Sequence, residues 1–157
     1  MVSELFERIQ ADLVQAMKAK ETLKLSALRM LKAEIQKAEA AEGRTGSPVS
    51  DEEVITLVQR LIKQRNDAAE QFSCGGAHER AQQEMQEVAI LEEYLPRQLS
   101  DEELDRLIQT VCEDVMAVGI KDMGRVMGKV MPRVKGKAEG NRVRKRVSAF
   151  LNGLGEE

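Results

Sequence analysis

Cys74 and His78 are the first residues whose types and spacing suggest chemistry, lying four apart across Gly75-Gly76. Such a pair could be a thiol–imidazole dyad or half of a zinc site. Zinc takes four ligands, however, and His78 is the single histidine, while the other cysteine, Cys112, falls on an apolar helical stripe. The pair therefore reads as turn residues, and no metal ligand is expected. The adjacent acids Asp51-Glu52, Glu92-Glu93 and Asp101-Glu102 lie near helix ends, where capping and solvation explain them. Arg29 and Arg65 each adjoin an apolar stripe and are expected to form structural ion pairs with Glu92 or Glu93. No phosphate-binding glycine loop, nucleophile elbow or HExxH motif occurs, so no catalytic residue and no cofactor are expected.

The stronger chemical signal is charge. Residues 120–151 hold ten Lys or Arg and two acids, about +8 in a chain whose net charge is -3. Sorting of that kind points to a surface that faces a polyanion. Met123, Val126, Met127, Val130 and Met131 fall on one face of a helix, and Lys121, Arg125 and Lys129 on the opposite face. Gly124 and Gly128 lie between, and two glycines in one short helix cost roughly 1 kcal/mol each relative to alanine. They serve either tight packing against a neighbouring helix or close approach of a phosphate. Beyond Pro132, Lys135 and Lys137 flank Gly136 in a turn that ends at Gly140. The next helix carries Arg142, Lys145 and Arg146 on its outward side. Free amides at its start, beside Lys135 and Lys137, would suit a phosphate.

These residues need a scaffold, and the spacing supplies helices throughout. Leu5, Ile9, Leu13 and Met17 form one stripe behind a cap near Ser3, and Leu25, Leu28, Leu31 and Ile35 form a second. Gly43 to Val49 breaks the pattern. Ser50-Asp-Glu-Glu53 and Ser100-Asp-Glu-Glu103 both fit a capping box. The first opens a helix carrying Val54, Leu57, Val58, Leu61 and Ile62. A fourth helix, with Met85, Val88, Ile90 and Leu91, runs to Tyr94-Leu95 and stops at Pro96. Three helices fit the remainder: roughly 101–118, ended by Gly119 at C′, then 122–131 and 139–152. No strand-like alternation is present. The 157 residues, 42% apolar and 32% charged with no Trp, give an all-α chain. It divides into an N-terminal long-helix hairpin or bundle, 1–96, and a small basic C-terminal three-helix domain, 97–157.

Two unpaired thiols and an amphipathic start without a leader lead us to expect a cytoplasmic protein. No run approaches the roughly 18 apolar residues of a membrane span, so no membrane partner is expected. The basic half has one aromatic residue, Phe150, on a core face. Recognition of a folded RNA by backbone and shape fits this better than stacking on single strands, and no recognition helix for duplex DNA is visible.

Leu25-Ser-Ala-Leu-Arg-Met-Leu31, Ile90-Leu-Glu-Glu-Tyr-Leu-Pro96, Asp122-Met-Gly-Arg-Val-Met127 and Met131-Pro-Arg-Val-Lys-Gly-Lys-Ala-Glu-Gly140 together resemble the YqeY family, in order and over essentially the whole chain. Lys137 and Glu139 stand where the family pattern has Arg and Asp, which keeps the sign of charge. The resemblance implies kinship with the C-terminal tail domain of the B subunit of the glutamine-dependent tRNA amidotransferase. That tail contacts tRNA, while the catalytic parts of the enzyme lie in other domains and subunits. A carbon–nitrogen ligase label would therefore be inherited from the larger enzyme. The expectation is a non-catalytic accessory protein that binds tRNA or another structured RNA. Lys121, Arg125, Lys129, Lys135, Lys137, Arg142, Lys145 and Arg146 would make the contacts, and Gly124, Gly128, Gly136 and Gly140 would allow close approach. The alternative is a protein-interaction module that docks on amidotransferase subunits or another complex without binding RNA.

Overall fold

The computed structural model describes residues 3–41, 43, 44 and 46–155. Its regular elements are seven α-helices and one 3₁₀ turn, with no strand among the described residues. The chain divides into two compact units, Met1–Leu95 and Pro96–Glu157.

The first unit contains α1 (Glu4–Lys18), α2 (Thr22–Glu39), α3 (Asp51–Cys74) and α4 (His78–Glu92). Ser3 caps α1, its Oγ accepting from the Phe6 N–H at 3.0 Å. At the start of α3 the Ser50–Glu53 capping box is closed in both directions. Phe6, Ile9, Leu28, Leu31, Val58, Leu91 and Tyr94 are among the residues that close the core. Met17, expected on the α1 stripe, is instead 48% exposed. Each four-residue step overshoots a full turn by about 40°, so Leu5 and Met17 cannot share a face; the buried series is Phe6, Ile9 and Ala16. Met85 of α4 is likewise exposed.

Arg65 of α3 is buried, and its Nε donates to Glu87 of α4 at 3.0 Å. The expected partners Glu92 and Glu93 lie on the exposed last turn, more than one helical turn beyond Glu87. Arg29 is exposed. Tyr94 donates its hydroxyl to Asp12 at 2.7 Å, with the Arg8 guanidinium over its ring at 4.8 Å. Burial first, then the Asp12 carboxylate, holds the phenol well above its ordinary range.

The second unit contains α5 (Asp101–Asp114), a 3₁₀ turn (Ile120–Asp122), α6 (Met123–Val134) and α7 (Gly140–Leu154). Leu104, Ile108 and Val111 of α5 meet Val126, Val130 and Val134 of α6 and Val143, Val147 and Leu151 of α7. Two boundaries differ from expectation. First, α5 ends at Asp114, and the left-handed residue behind it is Met116, φ 53°, not Gly119, which is extended at φ 176°. The Ala117 N–H reaches the Cys112 carbonyl at 2.9 Å and the Met116 N–H the Glu113 carbonyl at 3.2 Å, a Schellman closure built without glycine. Second, α6 continues through Pro132 to Val134. Pro132 removes one N–H from the helix, and Val134, fully buried, anchors the final turn in the core.

Candidate nucleic-acid interface

α6 buries its valines, and the face it turns outward is unusually simple. Lys121 of the 3₁₀ turn and Gly124, Arg125, Gly128, Lys129, Pro132 and Arg133 of α6 are all exposed and follow one another at steps of three, one, three, one, three and one. From Gly124 to Arg133 that spacing covers about 14 Å of helix as a band that drifts by about 40° with each four-residue step, so Arg133 lies round the side from the Gly124 end. The seven positions contain four cations, no acid and, between them, bare backbone. A Cβ placed on Gly124 or Gly128 would meet nothing within 4 Å. Tight packing within the second unit therefore does not explain these glycines, and their faces stay open to an outside body.

Arg125 is anchored at one side, its Nη2 donating to Asp122 Oδ1 at 2.9 Å while the side chain stays 54% exposed. Asp122 also accepts from the Val118 N–H at 2.8 Å, and backbone N–H groups of Val118 and Gly119 with Arg125 hold its carboxyl below the usual range. Lys121 and Lys129 complete the expected trio on this face. Arg133 is the fourth member, missed because the helix was expected to end before Pro132; its position four residues after Lys129 was the available signal.

The other expected residues are distributed differently. Lys135 and Lys137 are exposed on the turn after α6. Gly136 is buried at φ 79°, and its carbonyl accepts from Gln98 Nε2 at 2.8 Å, so this glycine shapes the turn. A Cβ on Gly140 would meet Met131 Cε at 3.9 Å, ordinary contact. The amides at the start of α7 are not free. Glu139 caps them, accepting from the Asn141 N–H at 3.1 Å and the Arg142 N–H at 3.2 Å. A phosphate at that helix start would have to displace the chain's own carboxylate.

Arg142 and Arg146 do not face outward alone. Arg142 donates to Asp101 and to the Leu99 carbonyl at 2.8 Å, and Arg146 forks onto Asp105. The hydrogen bond from Arg146, more than any other contact, lowers the Asp105 carboxyl below its usual range. These two arginines tie α7 to α5. Lys145 stays exposed and, with Arg106 and Phe150, borders an open groove of about 390 Å³ between those helices.

Cys74 ends α3 and His78 begins α4, both exposed. Among the described residues no group of three or more His, Cys, Asp or Glu is arranged to hold a metal. Cys112 is buried, and burial pushes its thiol above the ordinary range.

These features define an all-helical protein whose second unit carries a cationic band along α6, with Asp122 bonded to Arg125 and Asp114 of α5 bordering a groove with Lys129 and Arg133. The model of the YqeY-like proteins matches residues 6–151, and the chain belongs to that family. It is similar to the "Altered inheritance of mitochondria protein 41, mitochondrial" of Pyrenophora tritici-repentis, at 30% identity over 149 residues, covering 92% of this chain and 79% of that protein. No helix among the described residues is long and apolar enough to cross a membrane.

Proposed function

We propose that this protein is a non-catalytic accessory factor that binds the backbone of tRNA or another structured RNA through the exposed face of α6. One observation carries the proposal: seven exposed positions between Lys121 and Arg133 present four cations, Arg125 alone of them held by Asp122, with open backbone at Gly124 and Gly128. A charged but bland helix surface would intersperse acids with its lysines and arginines, as the rest of this acidic chain does. Cations beside bare backbone let a phosphate run approach closely, and the interaction needs no base reading. The kinship of the YqeY family with the tRNA-contacting tail of the amidotransferase B subunit supports the same ligand. In this reading a ligase label describes the related enzyme, and the chain acts beside an amidation complex or on free RNA. We place it in the cytoplasm, whereas the similar protein of Pyrenophora tritici-repentis carries a mitochondrial name.

Arg142 and Arg146 are structural in this scheme, and Lys121, Lys129 and Arg133, with Arg125 in a lesser role, carry the affinity. Titration of deacylated tRNA with the protein at two salt concentrations tests the proposal. Binding through four phosphates weakens by roughly 50- to 150-fold between 50 and 200 mM salt. Binding that is absent, or indifferent to salt, contradicts it.

A further inference from the structure

Immediately before the cationic face, the chain turns three large apolar side chains into solvent. Met116 is 77% exposed, Val118 61% and Ile120 49%. The alternate residues Val115 and Ala117 are the ones that pack on the core. Folding alone gives no reason for the outward three to be apolar. Met116 also sits in the left-handed region, which disfavours any side chain with a Cβ and which glycine would occupy freely.

This loop is held to the face behind it by one residue. The Val118 N–H donates to Asp122 Oδ2 at 2.8 Å, the Asp122 N–H donates to the Gly119 carbonyl at 3.0 Å, and Arg125 donates to Asp122 Oδ1 at 2.9 Å. The apolar loop and the first turn of the cationic stripe are therefore one preorganised surface. It is apolar up to Ile120 and cationic from Lys121 to Arg133.

We infer that Met116, Val118 and Ile120 form an apolar wedge that packs against exposed nucleobase faces of the RNA whose phosphates lie along α6. The inference rests on the RNA-binding proposal and adds what tells one RNA from another. Charge complementarity selects the occupant, because a partner that touches both parts must join a run of negative charge to flat apolar surface. A folded RNA with unstacked bases does so, whereas a regular duplex keeps its base faces inside the stack. Aliphatic wedges of this kind are used at unstacked base steps, so the lack of exposed aromatics is no obstacle. The ligand class narrows from any polyanion to a folded RNA with accessible base faces.

The test compares the affinity of the full chain for deacylated tRNA and for a long regular RNA duplex at matched salt. It uses wild type and the Met116→Gly/Val118→Ser/Ile120→Ser variant. Wild type is expected to prefer tRNA by about tenfold, the scale of removing roughly 55 Å² of apolar surface from water. The variant is expected to lose that preference while keeping the salt dependence of wild type. Its melting temperature should not fall, since Met116→Gly relieves the left-handed backbone; should the triple variant fail to fold, Val118→Ser alone gives the same result at smaller size. A variant that keeps the preference overturns the inference, as does wild type that binds both RNAs equally. Loss of binding to phosphatidylserine-rich vesicles in the variant, with RNA preference intact, would assign the wedge to a bilayer and also overturn it. Wild type that binds neither RNA overturns the RNA-binding proposal itself.

Discussion

Arg146 forks onto Asp105 across two helices, Nε to Oδ1 at 2.6 Å and Nη2 to Oδ2 at 2.7 Å, while its Nη1 lies 3.4 Å from Asp101. Arg142, one turn earlier, holds Asp101 and the Leu99 carbonyl. The acids of α5 and the arginines of α7 thus form one interhelical ladder. Two of the cations that look available in the sequence are already engaged, so the basic segment divides into a structural set and an exposed set.

That division is testable by charge reversal. Lys121→Glu, Lys129→Glu and Arg133→Glu should abolish tRNA binding and leave thermal stability nearly unchanged, because these side chains are exposed. Arg142→Ala and Arg146→Ala should do the opposite, lowering the melting temperature of the second unit and weakening RNA binding only slightly. Circular-dichroism melts and anisotropy titrations on the same preparations separate the two effects.

The cap on α7 gives a second contrast. Glu139→Ala leaves the Asn141 and Arg142 N–H groups without their acceptor and should cost about 1 kcal/mol of stability. It also removes an acid beside Lys137, so RNA affinity should hold or rise. Weaker RNA binding in a folded Glu139→Ala protein would mean that the carboxylate itself takes part.

In the first unit, Arg65 and Glu87 are a nearly buried ion pair, with side-chain exposures of 8% and 15%. Arg65→Met strands the Glu87 carboxylate and should destabilise the protein by about 3 kcal/mol. Combining it with Glu87→Leu removes the stranded charge and should recover most of the loss. A double variant as unstable as the single one would show that Arg65 acts mainly through packing, including its contact with Met30.

Much of this architecture is legible in the sequence because helical stripes and caps are local. Ser3, Ser50 and Ser100 each accept from an N–H three residues on, but of the two expected capping boxes only that at Ser50 is closed in both directions, Glu103 accepting from Arg97 instead. Lys121, Arg125 and Lys129 are visible as one face for the same reason. What escapes is set by contacts between elements. The rotation of α7 against α5 decides that Arg142 and Arg146 meet acids, and no one-dimensional spacing contains that rotation. Burial of Val134 carries α6 through a proline that would otherwise stop it. Hydrogen bonds back into α5 place Met116 in a conformation that the sequence assigns more naturally to Gly119.

Acid should loosen the second unit only below about pH 4, well away from physiological pH. Arg97 lowers the Glu103 carboxyl, Arg146 that of Asp105, and the Val118 N–H that of Asp122. Carboxyls depressed in the folded state add stability that is fully present above their unfolded range, near pH 4, and lost as pH falls through the folded values. The melting temperature should be flat from about pH 7 to 5 and fall below about pH 4, with a shallower fall in Asp105→Asn. An equally steep fall in Asp105→Asn would place the acid sensitivity elsewhere.

The most direct test of RNA binding by α6 is the salt dependence of deacylated-tRNA affinity in three proteins. They are wild type, Lys121→Glu/Lys129→Glu/Arg133→Glu, and a control with the same charge change in the first unit, Lys18→Glu/Lys37→Glu/Lys63→Glu. Wild type and control should share a log–log slope of about -3 to -4, with the α6 variant binding too weakly to measure. Equal losses in the α6 variant and the control would reduce the effect to net charge, and full binding by the α6 variant would contradict the assignment of this face to RNA.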